Sequence, residues 1–318
     1  MSNPRVRTRA GVAGVLALSG TVHCAADEID LQPRVSGGTQ AYSLTFADVI
    51  IPNGNGFRFQ NGFKISDTLP FFGAGLTASS GRVFADLSGQ WSGTGTDHGE
   101  IFEGTAYDAA NDTTPALGFE HDFDARFSRH ELNFALGWAF DPNLSAFAGY
   151  KSARLNITQL LTPSSAFTPD VFDVLFFGDY TMNFSYHGFF AGASYSLPVR
   201  TWGAVAIQTS VARLDSGFHQ SFSGTLYVLL PTGPNSDAPL YLNPSYRSAT
   251  VGGLSTGLNA GISWSGDFGW AGERLRPLSY TIGIDESQYR FSTSQTTYGD
   301  FEEKNTRVRL ELRYQFAL

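Results

Sequence analysis

Acids and histidines crowd into two short stretches of this chain. Asp97 and His98 stand close to Glu100, and Glu120, His121, Asp122 and Asp124 follow further on, leading into Arg129, His130 and Glu131. A carboxylate beside an imidazole can orient the ring and let it take a proton from water. The chemistry open to Asp97, His98, His121, Asp122 and Asp124 is therefore hydrolysis by an activated water. The plainer reading, which comes first for any such run of charge, is a solvated acidic loop that binds divalent cations loosely. His219 and Ser221 form a second pair, a hydroxyl two residues from a base, but no third group completes a nucleophilic triad. His187 lies in an aromatic run with Phe184 and Tyr186, where an interface role competes with a chemical one.

The segments that carry these residues read as β-strands. Val308, Leu310, Leu312, Tyr314 and Phe316 share one face of the last segment, and Arg307, Arg309, Glu311, Arg313 and Gln315 share the other. The same period-2 pattern recurs before the turn at Asp141 to Asn143, where Leu132, Phe134, Leu136, Trp138 and Phe140 alternate with Glu131, Asn133, Ala135, Gly137 and Ala139. Counting back from the C-terminus gives strands near 304–316, 277–290, 250–264, 202–213, 180–196, 144–157, 127–140, 82–92, 64–78 and 35–48. These make ten, with eight or twelve the counts left open by the two N-terminal segments. Parity changes near Gly188, which predicts a β-bulge there. Short turns at 79–81, 141–143, 197–201 and 265–276 alternate with long connections at 93–126, 158–179 and 214–248. Two of the long connections contain the apolar runs 171–177 and 226–230. Such runs are expected to extend the hairpins, fold over the mouth or contact another molecule.

The N-terminus bears Arg5, Arg7 and Arg9 before an apolar stretch from Gly11 to Val22 that is too short to span a bilayer. This is the pattern of a secretory signal, with cleavage after Ala26. Cleavage would remove Cys24, the only cysteine, and leave one domain over 27–318. No other window offers the roughly 18–20 apolar residues of a membrane-spanning helix, so a membrane position requires a barrel. Charged residues are only 16% of the chain, against about 25% in ordinary soluble domains, and aromatic residues are 14%. The net charge of −8 becomes more negative without the signal arginines and argues against nucleic acid as a partner. Without paired thiols or a spaced histidine pair there is no structural zinc site. The Gly93 to Gly95 stretch lacks the helix that a phosphate-binding loop opens into, so no cofactor is expected.

The expected fold is all-β, a transmembrane antiparallel up-and-down barrel, and on these features the chain resembles bacterial (Gram-negative) outer-membrane β-barrel proteins as a broad class. The resemblance implies residence in the outer membrane among its lipids. It also implies that Tyr314 and Phe316 act as the assembly signal read by the barrel-assembly machinery, although Ala317 and Leu318 follow where the class usually ends on the aromatic. In that class the omptin proteases use paired acids with an Asp–His couple, and lipid A deacylases use a histidine in an aromatic setting. The loop cluster and His187 are similar to these in residue type alone. The inward face would line a lumen with Asp86, Glu131, Lys151, Asp285, Arg307, Arg309, Glu311 and Arg313, either as a salt-bridged plug or as a selective pore lining. The functions this allows are passive transport or surface ligand binding, with a small solute or surface ligand as partner. The alternatives are a surface hydrolase and a structural or adhesive barrel.

Overall fold

A computed structural model of the chain describes residues 29–52, 57–100, 104–108, 115–119, 122–161, 166–167, 173–199, 203–229, 240–293 and 301–317. The expected signal segment and His121 lie outside these. The strands are β1 (Asp30–Pro52), β2 (Phe57–Ser80), β3 (Val83–Ser92), β4 (Gly95–Glu100), β5 (Gly104–Asp108), β6 (Pro115–Phe119), β7 (Asp122–Ala139), β8 (Leu144–Leu161), β9 (Ala166–Phe167), β10 (Asp173–Pro198), β11 (Ala204–Leu229), β12 (Leu240–Asp267), β13 (Leu278–Thr293), β14 (Phe301–Tyr314) and β15 (Phe316–Ala317). Each long strand pairs antiparallel with its neighbour in sequence, and β3 continued by β4 forms one stave between β2 and β7. β1 then pairs with β14, from Arg34 opposite Arg313 to Phe46 opposite Phe301, which closes a barrel of ten staves. The ten expected strands are those staves.

All four short turns lie at one end. The turn from β7 to β8 is built on Asp141, whose Oδ1 accepts hydrogen bonds from the backbone N–H groups of Asn143 (2.7 Å) and Leu144 (2.8 Å). Two 3-10 turns, Gly269–Ala271 and Glu273–Leu275, carry the connection from β12 to β13. At the opposite end the strands extend far past the bilayer. β12 has 28 residues, where roughly 9–11 residues cross a membrane. The apolar run 173–177 pairs with 225–229 as the far end of the β10–β11 hairpin, so this part of it lengthens the wall.

Side-chain patterning divides the barrel into two zones. Near the short turns the outward residues are apolar and exposed, as Leu132, Phe134, Leu136 and Trp138 of β7 and Val308, Leu310 and Leu312 of β14 show. The inward ones there are charged, polar or small, apart from an aromatic cluster of Phe84, Phe147 and Phe190. Further along β7 the assignment inverts: Asp124, Arg126 and His130 face outward, while Ala125 and Phe127 are buried inside. An apolar exterior is stable against lipid and a polar exterior against water, so the inversion marks where each strand leaves the bilayer.

This inversion corrects the expected bulge at Gly188. β10 is paired without interruption from Gly178 to Tyr195 on one side and from Asp173 to Pro198 on the other. Along it Met182, Phe184, Tyr186, Ser194 and Ser196 all face inward, whereas His187, Phe189, Tyr195 and Leu197 face outward. The hydrophobic residues change face at Gly188 because the exterior changes from lipid to water, with no residue inserted. Register shifts fall elsewhere, between Phe46 and Val49 in β1 and between Gly224 and Leu226 in β11.

If the boundary lies where the pattern inverts, two outward positions on β14 should respond differently to the same change. Leu310→Arg should lower the unfolding free energy in lipid vesicles by about 2–4 kcal/mol, and Thr306→Arg by no more than about 1 kcal/mol. Equal losses in urea titrations would place the boundary elsewhere.

Candidate functional site

The lumen holds two stacked regions. From the membrane zone up to the lipid boundary, six cations among the described residues (Arg34, Arg129, Lys151, Arg307, Arg309 and Arg313) face five carboxylates (Asp86, Glu131, Asp285, Glu303 and Glu311), with Arg129 and Glu303 at the upper edge. Most are joined across the barrel. Arg129 donates from Nη1 to Glu131 (2.6 Å) on its own strand and from Nε to Glu303 (2.7 Å) on β14. Lys151 of β8 donates to Glu131 (2.8 Å) and to the Tyr289 hydroxyl of β13 (2.6 Å). Arg307 donates to Asp285 (2.8 Å) and to the Gln90 side chain of β3 (2.6 Å). Arg34 holds Asp86 through two nitrogens, at 2.5 and 2.8 Å, and Thr77 through a third contact of 2.6 Å. Its guanidinium lies flat over Gly75, where a Cβ would sit 2.8 Å from it, so the glycine makes room for the pair.

Toward the far end an apolar plug fills the lumen. Tyr42, Phe127, Phe184, Phe218, Phe291 and Phe301 come from six different strands and meet at the axis. Ring centroids are 4.7 Å apart for Phe184 and Phe218, 5.0 Å for Phe291 and Phe301, and 5.4 Å for Phe218 and Phe301. Each of these rings is almost fully buried. Below the plug, and beside the ion pairs, lies a cavity of about 120 Å³ bordered by Gln208, Ser210, Asn259, Arg309 and Glu311.

Every residue expected to line the lumen points into it: Asp86, Glu131, Lys151, Asp285, Arg307, Arg309, Glu311 and Arg313. Sequence reasoning left out Arg34, Glu303 and Tyr289 from this set. Glu303 lay one residue beyond the expected start of its strand, and Arg34 one residue before the expected start of β1. Arg129 shares the parity of Glu131, and that signal was available to find it.

The loop cluster is split. His98 of β4 and Asp124 of β7 are opposed in register and joined, Nδ1 to Oδ1, at 2.6 Å, and both are on the outer wall, with side chains 79% and 52% exposed. Asp97 faces away from this couple and accepts the backbone N–H of Ser66 at 2.6 Å, just as Asp67 accepts that of Thr96 at 3.0 Å. The two acids thereby close the split between β2 and β4. Asp122 of β7 stands opposite Glu100 of β4 in the ladder that also carries His98 and Asp124. His219 and Ser221 diverge: His219 Nδ1 meets the Thr250 hydroxyl (3.0 Å) on β12 and Ser221 meets Thr181 (2.5 Å) on β10. His187 is exposed on the outer wall, just above Phe189. Among the described residues no group of three or more His, Cys, Asp or Glu side chains is arranged to hold a metal ion. Tyr314 and Phe316 are outward, their rings 4.6 Å apart, at the short-turn end.

A closed ten-stave antiparallel barrel with a lipid-facing apolar band and a charged lumen is the architecture of the β-barrels of the Gram-negative outer-membrane class. No family model matches the sequence, and a search of curated proteins finds no match. Among solved structures the chain is similar to the outer membrane protease OmpT from Escherichia coli, at 12% identity and a TM-score of 0.46, over 90% of this chain and 97% of that one. It is also similar to the translocator domain of the autotransporter NalP from Neisseria meningitidis (9%, TM-score 0.34, over 89% and 88%) and to the attachment invasion locus protein Ail of Yersinia pestis (9%, TM-score 0.28, over 90% and 99%). At these values the likeness carries nothing about activity.

Removing Arg129 would leave Glu303 and one side of Glu131 buried without their guanidinium. Arg129→Ala should therefore destabilise the folded barrel by about 3–5 kcal/mol, read as a lower urea midpoint. An unchanged midpoint would show that the pairs are not what holds the lumen together.

Proposed function

We propose that this protein is an outer-membrane barrel whose working surface is its extracellular wall, where it binds a surface ligand, and that its lumen does not conduct. The single observation that carries this reading is the aromatic plug, which blocks the axis above the ion-paired belt. A route for solutes would have to displace both. Dense packing of buried rings is stable against such displacement, because each ring buried in a core contributes about 1.5–3 kcal/mol. The wall beyond the bilayer is long, polar on the outside and rigidified by the apolar interior, which suits a platform for binding. In this reading residues 1–26 export the chain, outer-membrane lipids surround the band, and Tyr314 with Phe316 engages the barrel-assembly machinery.

A second reading, surface hydrolysis, rests on the His98–Asp124 contact of 2.6 Å. That couple orients an imidazole toward solvent, but a base needs a positioned nucleophile or water to act.

Planar-bilayer recording of the purified barrel separates these readings from passive transport. The expected result is an absence of discrete porin-sized steps, and steady conductance of that size would overturn the sealed-lumen reading. Incubation with a peptide library and short-chain lipid esters tests the second. Cleavage that disappears in His98→Ala would replace binding with hydrolysis.

A further inference from the structure

Among the described residues the charges in the lumen do not balance, and the imbalance has an address. Of the six cations in the belt, Arg309 is the one left over. Its nearest carboxylate is Glu311, at 4.0 Å, and Glu311 is already held by Arg313 at 2.5 Å and by Arg34 at 3.6 Å. The Arg309 Nε is buried and has no hydrogen-bond acceptor in the protein, although the side chain as a whole is only 13% exposed. A guanidinium in that setting is costly, because a buried N–H without an acceptor gives up its hydration and gains no hydrogen bond in return.

The cavity of about 120 Å³ lies beside this group. It is also bordered by Gln208 and Ser210 of β11 and Asn259 of β12, whose amide and hydroxyl groups can donate to an anion. β11 and β12 bring no charge to the lumen in the membrane zone: Ala204, Ala206, Gln208, Ser210 and Ala212 face inward from one, and Asn259, Gly261, Ser263 and Ser265 from the other. The carboxylates that also border the cavity are each bound to a cation: Asp86 to Arg34, Glu131 to Arg129 and Lys151, Asp285 to Arg307, and Glu311 to Arg313.

We infer that the lumen binds one small monovalent anion, chloride or a short carboxylate, between Arg309 and the amide and hydroxyl groups of Gln208, Ser210 and Asn259. One negative charge there neutralises the sixth cation and gives Nε its acceptor. The plug lies on the far side of the cavity, so the anion exchanges from the short-turn end, where the small inward residues Ala206, Ser196 and Ser265 stand beside the rings of Phe84 and Phe147. This site is independent of any ligand on the outer wall.

The test uses the purified, folded full-length barrel in detergent, with chloride as the probe. The broadening of the 35Cl resonance should titrate saturably with protein and be reversed by acetate if short carboxylates share the site. Arg309→Gln should lower chloride affinity about tenfold or more, as the loss of a charge-assisted hydrogen bond implies, while Arg276→Gln, a change to an exposed arginine in the β12–β13 turn, should leave it unaltered. Absence of saturable broadening in the wild type would overturn the proposal, and so would an equal effect of the two variants. If Arg309→Gln fails to fold, the wild-type titration and Gln208→Leu decide instead, with Gln208→Leu expected to weaken chloride binding and an unchanged affinity counting against the site.

Discussion

Closure of the sheet is the constraint on which everything else here depends. In hydrocarbon a free N–H or C=O has no water to turn to, and each one left unpaired costs several kcal/mol. A row of ten staves would expose two such edges. Pairing of β1 with β14 over the span from Arg34 to Phe46 removes both. It also brings the inward residues of the first strand beside those of the last, so that Arg34 and Glu311 come within reach of one another.

Once the sheet is closed, the solvent outside dictates what can be inside. Against lipid the outer positions must be apolar, which leaves the polar residues of each strand no place but the lumen. There they meet across a narrow space and are tolerable only as pairs. Arg129 and Lys151 both reach Glu131 and then continue to β14 and β13, tying opposite walls together. Above the bilayer the same strands face water, and the hydrophobic residues turn inward to form a core like that of a soluble protein. The plug and the belt are thus two answers of one alternating pattern to two solvents.

This arrangement bears on where function can reside. In the reading proposed above, a lumen occupied by cross-barrel ion pairs and capped by stacked rings is a structural interior, with a cavity beside Arg309. The outer wall carries the groups that remain accessible, including the His98–Asp124 couple and the exposed His187. Their positions depend on strand register, and neighbouring residues on one strand need not act together. His219 and Ser221 share a face, yet each bonds to a different neighbouring strand.

The sequence by itself determined the alternation of each strand, the direction in which membrane-zone side chains point, and which end carries the short turns, while barrel closure decided for ten strands over the eight or twelve left open. Alternation is a local property of an extended chain, and a period of two survives whatever the neighbours are. Leu310 and Arg309 could be assigned to opposite faces without knowing what either one touches. Tertiary structure alone decided which inward residues meet: Arg129 and Glu303 are 174 positions apart and joined only through barrel closure and register. It also decided that the aromatic residues of six strands converge as a plug, and that the change of face at Gly188 is a change of solvent. No local pattern encodes where a strand crosses from lipid into water, because that boundary belongs to the assembled barrel and not to any one segment.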